Sequence, residues 1–283
     1  HLEDFAEIVY LLMCGTGAGF SVENQFGQQL PIIRRQREGK APTHVVEDHK
    51  EGWADSLVKG MKIWYDGYDI DFDLSKLRQA GARLKTMGGR SSGPEPLKAL
   101  LNYTRDRVLK SQGKRLRSLD IHDITCKIGD AVVVGGVRRS AEISLSDLED
   151  LLMRDAKKGE FYNRHPERRL ANNSAVYLEK PSATEFMKEW LALAESGTGE
   201  RGIFNRGGLV YQLPERRLKI LQDYLSYMGT NPCGEIFLRL KQFCNLTEIV
   251  ARATDTLSTL LEKVELATIL GTYQSMLTNF SYL

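Results

Sequence analysis

Apolar residues recur at helical spacing along most of this chain, and the gaps between those stretches hold short strand-like runs. That alternation predicts an α/β fold, with strands joined by helical crossovers. The first helix is read from Leu2, Phe5, Ala6, Val9, Leu12 and Met13. A second covers 50–66 with Trp53, Leu57, Met61 and Trp64, and a third covers 94–111 with Pro94 and Pro96 in its first turn. Helices are also predicted over 120–133, capped by Asp120, and over 146–157, where Ser146 and Glu149 have capping-box spacing. Ala183, Phe186, Met187, Trp190, Leu193 and Ala194 make one face of another, and Leu257, Leu260, Leu261, Val264 and Ala267 one face of the last. Strand candidates are 20–23, 81–87, 174–178, 202–205, 234–238 and 244–250.

The 283 residues are enough for a core of ordinary size, at 42% hydrophobic and 27% charged. Lys+Arg 39 against Asp+Glu 37 leaves a net charge of +2, which argues against a general polyanion-binding protein but not against binding one nucleotide. The basic stretch Arg105, Arg107, Lys110, Lys114, Arg115 and Arg117 reads as a solvated helix end and loop. No apolar run reaches the roughly 18 residues that would suggest a membrane span. Four cysteines are too few for a disulfide scaffold, so a cytoplasmic location is expected. The chain starts at His1 with no basic n-region, and residues 279–283 are apolar. A single domain over 1–283, continuing at both ends into a longer protein, is expected.

Three segments could carry chemistry. Gly15-Thr16-Gly17-Ala18-Gly19 is not a dinucleotide fingerprint, because the glycines are wrongly spaced and the turn follows a helix. It either lets backbone N–H groups approach an anion or is a tight connection. Gly135-Gly136-Val137-Arg138-Arg139 suggests a loop with cationic fingers suited to phosphate or base contacts. The third is Asn231-Pro232-Cys233-Gly234-Glu235, followed by Cys244 eleven residues after Cys233. Pro232 keeps Asn231 out of helix and Gly234 permits a sharp turn, so Cys233 is presented at a loop tip with Glu235 on the same side. The cysteine spacing does not match a zinc pair, and no His follows His165 to serve a Cys/His protease. A redox or radical thiol beside a general base remains. Cys126, inside an amphipathic helix, reads as core.

Together these segments resemble the catalytic chain of ribonucleotide reductases, of the adenosylcobalamin-dependent ribonucleoside-triphosphate type. The resemblance runs from the glycine turn through Gly88-Gly89-Arg90-Ser91-Ser92-Gly93-Pro94, Ala171-Asn172-Asn173-Ser174 and Gly202-Ile203-Phe204-Asn205-Arg206 to the Cys233 loop and Gln242-Phe243-Cys244-Asn245-Leu246. It implies part of a ten-stranded α/β barrel, two parallel five-stranded halves with a finger loop through the centre. The finger loop would be 229–236 and a specificity loop 134–141, the latter with Gly135, Gly136, Val137 and Arg139 relaying an effector nucleotide. Cys233 would be the thiyl radical position that removes the ribose 3′ hydrogen. Glu235 would be the base, Asn231 the amide that holds the ribose hydroxyls, and Cys244 one of two reducing thiols. Thr16, Gly17 and Arg138 would contact substrate. The other reducing thiol is expected upstream of residue 1, rather than at Cys14. The resemblance further implies adenosylcobalamin, a ribonucleoside triphosphate or diphosphate, a nucleotide effector and a thioredoxin-like reductant. No metal bound by the chain itself, no nucleic acid and no membrane are expected. The rival readings are a reductase served by a di-metal partner subunit and a nucleotide-binding fragment without turnover.

Overall fold

The computed structural model describes residues 1–84, 89–133, 141–280 and 282. Among these, eight strands form: β1 (Gly17–Ser21), β2 (Lys40–Val45), β3 (Asp69–Asp73), β4 (Ala141–Asp147), β5 (Ala171–Val176), β6 (Gly202–Phe204), β7 (Gly229–Thr230) and β8 (Phe237–Leu238). β1, β4, β5 and β6 make one parallel sheet in that order. β2 pairs with β3 in parallel, and β7 with β8 as an antiparallel hairpin.

Parallel strands require crossovers. The one from β1 to β4 contains the helices Lys50–Tyr65, Glu95–Lys110 and Ser118–Val132. With the first helix, Glu3–Met13, they enclose the main core, where Val9, Leu57, Met61, Trp64, Leu97 and Ile124 are buried. Each such side chain contributes about 1.5–3 kcal/mol relative to exposure. The expected helices at the start of the chain, over 50–66 and over 94–111 lie within a residue or two of their observed limits.

Other expectations are corrected. The helix expected over 120–133 starts at Ser118, so Asp120 is its third residue rather than its cap. The Asp120 carboxylate accepts from the Arg117 backbone N–H at 3.2 Å, which still satisfies one orphan donor. No helix runs over 146–157. Ser146 is buried in β4, opposite Ala175, and only Leu151–Arg154 is helical, capped by Asp150. The Ser146/Glu149 signal is local, whereas β4 is paired on both edges and buries Ile143 and Leu145. β1 begins at Gly17, inside the segment expected to be a turn, and β2 and β3 were not anticipated. The region expected as a strand over 244–250 has a single bridge, Cys244 to Gly17, and 81–87 has one from Arg83 to Arg90, with 85–88 outside the described residues.

The helices Ala183–Ser196 and Leu257–Ser275 form where expected, behind capping boxes at Ser182 and Thr256, and bury no residue. Phe186, Met187, Trp190, Leu261 and Leu270 are exposed. No helix among the described residues is long and apolar enough to cross a membrane.

Candidate active site

The β7–β8 hairpin carries the Cys233 loop, and short-range forces account for its shape. Pro232 holds Asn231 out of helix, and Gly234 takes φ +84°, a conformation open to glycine. The Gly234 N–H donates to the Asn231 carbonyl at 3.0 Å, closing a β-turn with proline at its second position. Asn231 closes the other side: its N–H donates to the Ile236 carbonyl at 3.2 Å, and its Oδ1 accepts from the Ile236 N–H at 3.0 Å. Asn231 is therefore buried, while Cys233 and Glu235 are exposed at the tip.

The hairpin sits on the glycines of β1. A Cβ on Gly17 would lie 2.7 Å from Cys244 Sγ and 3.0 Å from Pro232 Cδ. A Cβ on Gly19 would lie 2.2 Å from the Thr230 carbonyl oxygen. Residues two apart share a strand face, so Gly17 and Gly19 form one trough for the loop. The glycines thus make room for the hairpin itself, a role that neither reading of the segment, anion approach or tight connection, anticipated. Cys244 is buried there and exchanges backbone hydrogen bonds with Gly17 at 3.2 and 3.3 Å. Thr16 Oγ1 donates to the Leu11 carbonyl at 2.8 Å and so caps the first helix.

Two further contacts tie the hairpin to the sheet. Asn172 on β5 donates from Nδ2 to the Pro232 carbonyl at 2.6 Å. Arg206, just after β6, donates from Nε to the Met228 carbonyl at 2.8 Å. Its two terminal nitrogens grip Glu23 at 2.7 and 2.8 Å, and Ser21 donates to the same carboxylate at 2.7 Å. Burial pushes the Glu23 carboxyl up, but its bonds to Arg206 and Ser21 outweigh this and hold it below the usual range. Neither the Glu23–Arg206 pair nor the Asn172 contact was anticipated. The available signal was an acid that ends one strand-like run and a base just past the end of another.

A cavity of about 470 Å³ lies along β1 and the first helix, lined by Phe20, Ser21, Arg206, Thr230 and Leu238 among others. Cys233 and Glu235 do not line it. Cys233 and Glu235 stand instead at an exposed tip above a buried Asn231. Cys244, expected on a strand, is held by the single bridge to Gly17. Gly135, Gly136, Val137, Arg138 and Arg139 lie outside the described residues.

All four cysteines are free. Cys14 is partly exposed at the end of the first helix and accepts from Lys50 Nζ at 3.2 Å. Cys126 is fully buried, 3.4 Å from His122 Nε2. Burial, assisted by Glu142, pushes its thiol well up, and burial lowers His122 to about 3. This is an inert core pair. Asp123, His165 and Glu167 lie close enough together to share a cation. Arg168 already holds Asp123 at 2.6 and 2.9 Å and Arg107 holds it at 3.0 Å, so arginine supplies the positive charge there.

No family model matches the chain. An adenosylcobalamin-dependent ribonucleoside-triphosphate reductase of Euglena gracilis is 30% identical over 254 residues, covering 87% of this chain and 33% of that protein. Proteins of the same name from Lactobacillus leichmannii and Lacticaseibacillus paracasei are 32% identical over 213 and 284 residues, covering 71% and 84% of this chain and 28% and 36% of those proteins. The crystal structure of a B-12 dependent (class II) ribonucleotide reductase superposes with a TM-score of 0.70 at 25% identity, covering 86% of this chain and 37% of that one. The chain spans about a third of the length of the curated relatives it matches.

Proposed function

Because the chain is a relative of the adenosylcobalamin-dependent ribonucleoside-triphosphate reductases, we propose that it carries the radical-thiol loop of such an enzyme and replaces the ribose 2′ hydroxyl by hydrogen. The observation that carries this reading is the Asn231–Glu235 hairpin seated on Gly17 and Gly19, with Cys244 at its foot.

In this reading Cys233 takes the 3′ hydrogen atom of the ribose. A thiol S–H is weak enough for that exchange to be reversible. Glu235 accepts the 3′ hydroxyl proton and returns it. Asn231 uses Oδ1 to close the loop, and its Nδ2 is the donor offered to the ribose hydroxyls. Cys244 and a second thiol supply two electrons and two protons: the 2′ hydroxyl leaves as water, hydrogen takes its place, and the two sulfurs become a disulfide, which a thioredoxin-like dithiol reopens. Thr16, Gly17 and Arg138 belong to the substrate contacts, and Gly135, Gly136, Val137 and Arg139 to a loop that answers a nucleotide effector. The reaction belongs in the cytoplasm, with a ribonucleoside triphosphate as substrate.

The site's chemistry fits the cofactor named for the relatives. Cys233 is exposed, and a Cβ on Gly234 would meet nothing within 4 Å, so a bulky group can reach the thiol. Cys233 and Gly234 would face it. Adenosylcobalamin, when bound, supplies the organic radical that protein groups cannot generate unaided.

The test is to give the full-length protein adenosylcobalamin, a dithiol and a ribonucleoside triphosphate and to assay deoxynucleotide. Cys233→Ser abolishes product while nucleotide affinity holds. Glu235→Gln lowers turnover by about 10²–10⁴-fold. Cys244→Ser keeps 3′ hydrogen exchange and loses product. Normal turnover in Cys233→Ser sinks the reading.

A further inference from the structure

We propose that Asn172 is a positioning residue that aims the Cys233 thiol; this builds on the reading of Cys233 as the radical position.

The hairpin's internal bonds set its shape but not its placement on the sheet. Near the tip, the Pro232 ring rests on Gly17, and the bond from Asn172 Nδ2 to the Pro232 carbonyl, at 2.6 Å, fixes the direction of the peptide that follows. Proline has no backbone N–H, so the carbonyl is the one backbone handle at that residue. That carbonyl belongs to the peptide joining Pro232 to Cys233. Turning it turns the Cys233 Cα and the direction of its side chain.

The strand explains why Asn172 is available. In β5, Ala171 and Asn173 are buried, and Asn172 between them is exposed. Alternation along a strand puts the two asparagines on opposite faces. Asn173 donates to the Met153 carbonyl at 2.9 Å on one side, and Asn172 reaches the finger-loop hairpin on the other. Adjacent asparagines thus do separate jobs: one holds the crossover after β4, the other the loop.

Hydrogen-atom transfer is sensitive to placement, because reacting atoms must sit about 3–3.5 Å apart and a 1 Å error can cost about 10²-fold. Loss of the Asn172 bond therefore appears in kcat rather than in KM.

The test has two arms. In this chain without nucleotide, amide hydrogen exchange is followed in the peptide spanning 229–238. Asn172→Ala speeds exchange there about tenfold, as expected for one lost hydrogen bond, and leaves β4 and the helix Lys50–Tyr65 at wild-type rates. Asn172→Asp, which replaces the donor by an acceptor, does the same, and Asn172→His, which keeps a donor, restores part of the protection. In the full-length enzyme, Asn172→Ala lowers kcat about 10–100-fold with KM unchanged. Unchanged exchange in the hairpin overturns the proposal, as does a loss of protection spread over the whole sheet. Faster hairpin exchange in a protein whose wild type makes no deoxynucleotide supports the positioning and overturns only the radical reading.

Discussion

Gly19 lies so close beneath Thr230 that a Cβ on it would sit 2.2 Å from the Thr230 carbonyl oxygen. Backbone, not a flexible side chain, is the obstacle, so the contact cannot be relieved by a rotamer change. Overpacking of this kind costs about 1–3 kcal/mol or more. Gly19→Ala should lower the midpoint of urea unfolding and raise hydrogen exchange in residues 229–238. A variant with wild-type stability and protection would show that β7 does not lie on β1.

Glu23 and Arg206 form a buried bidentate pair, and removing one partner of such a pair costs about 3–5 kcal/mol. Glu23→Gln and Arg206→Met should each destabilise strongly, and the double variant less than their sum, in a double-mutant cycle. The pH dependence has a definite sign. The folded Glu23 carboxyl lies below its ordinary value of 4.5, so its contribution is present above that value and is lost as pH falls through the folded value. Urea melts of wild type and Glu23→Gln should converge at strongly acid pH.

Glu142 behaves in the opposite way. It is fully buried at the start of β4, neither carboxylate oxygen has a hydrogen-bond partner among the described residues, and burial raises its carboxyl well above 4.5. The folded protein keeps a proton that the unfolded chain releases. Stability from this group is greatest below 4.5 and declines as pH rises through the interval up to the folded value. Glu142→Gln has nearly the same shape and cannot ionise. It should match wild type near pH 4 and exceed it at pH 8 in urea melts. A variant less stable than wild type at pH 8 would refute the neutral carboxyl.

The four thiols differ enough in exposure to be ranked. Cys233 is exposed, Cys14 is partly exposed, and Cys126 and Cys244 are buried. Alkylation followed by peptide mass spectrometry should modify Cys233 first and Cys14 second. Cys126 and Cys244 should react only on unfolding. Early labelling of Cys244 would contradict its seat against Gly17.

Several elements were legible because their causes lie within a few residues. The periodic apolar faces of 3–13, 50–65 and 95–110 identify helices. Pro232 and Gly234 identify a turn that lifts Cys233 to its tip. The Ser146/Glu149 pattern shows the limit. A cap is worth about 1 kcal/mol, whereas burying Ile143 and Leu145 contributes about 1.5–3 kcal/mol each. The sheet therefore takes the segment as β4.

The chemistry at the loop tip, a thiol two residues from a carboxylate behind a proline turn, belongs to the order of residues alone, because bond lengths and local dihedrals keep those groups close in any fold. The seat of that loop belongs to the tertiary structure. Glu23 and Arg206 are 183 residues apart, and Asn172 and Pro232 are 60 apart. No short-range preference selects such partners. They meet because parallel strands must be joined by long crossovers, which bring the ends of β1, β5 and β6 under one hairpin, and because glycines at 17 and 19 leave room for its backbone.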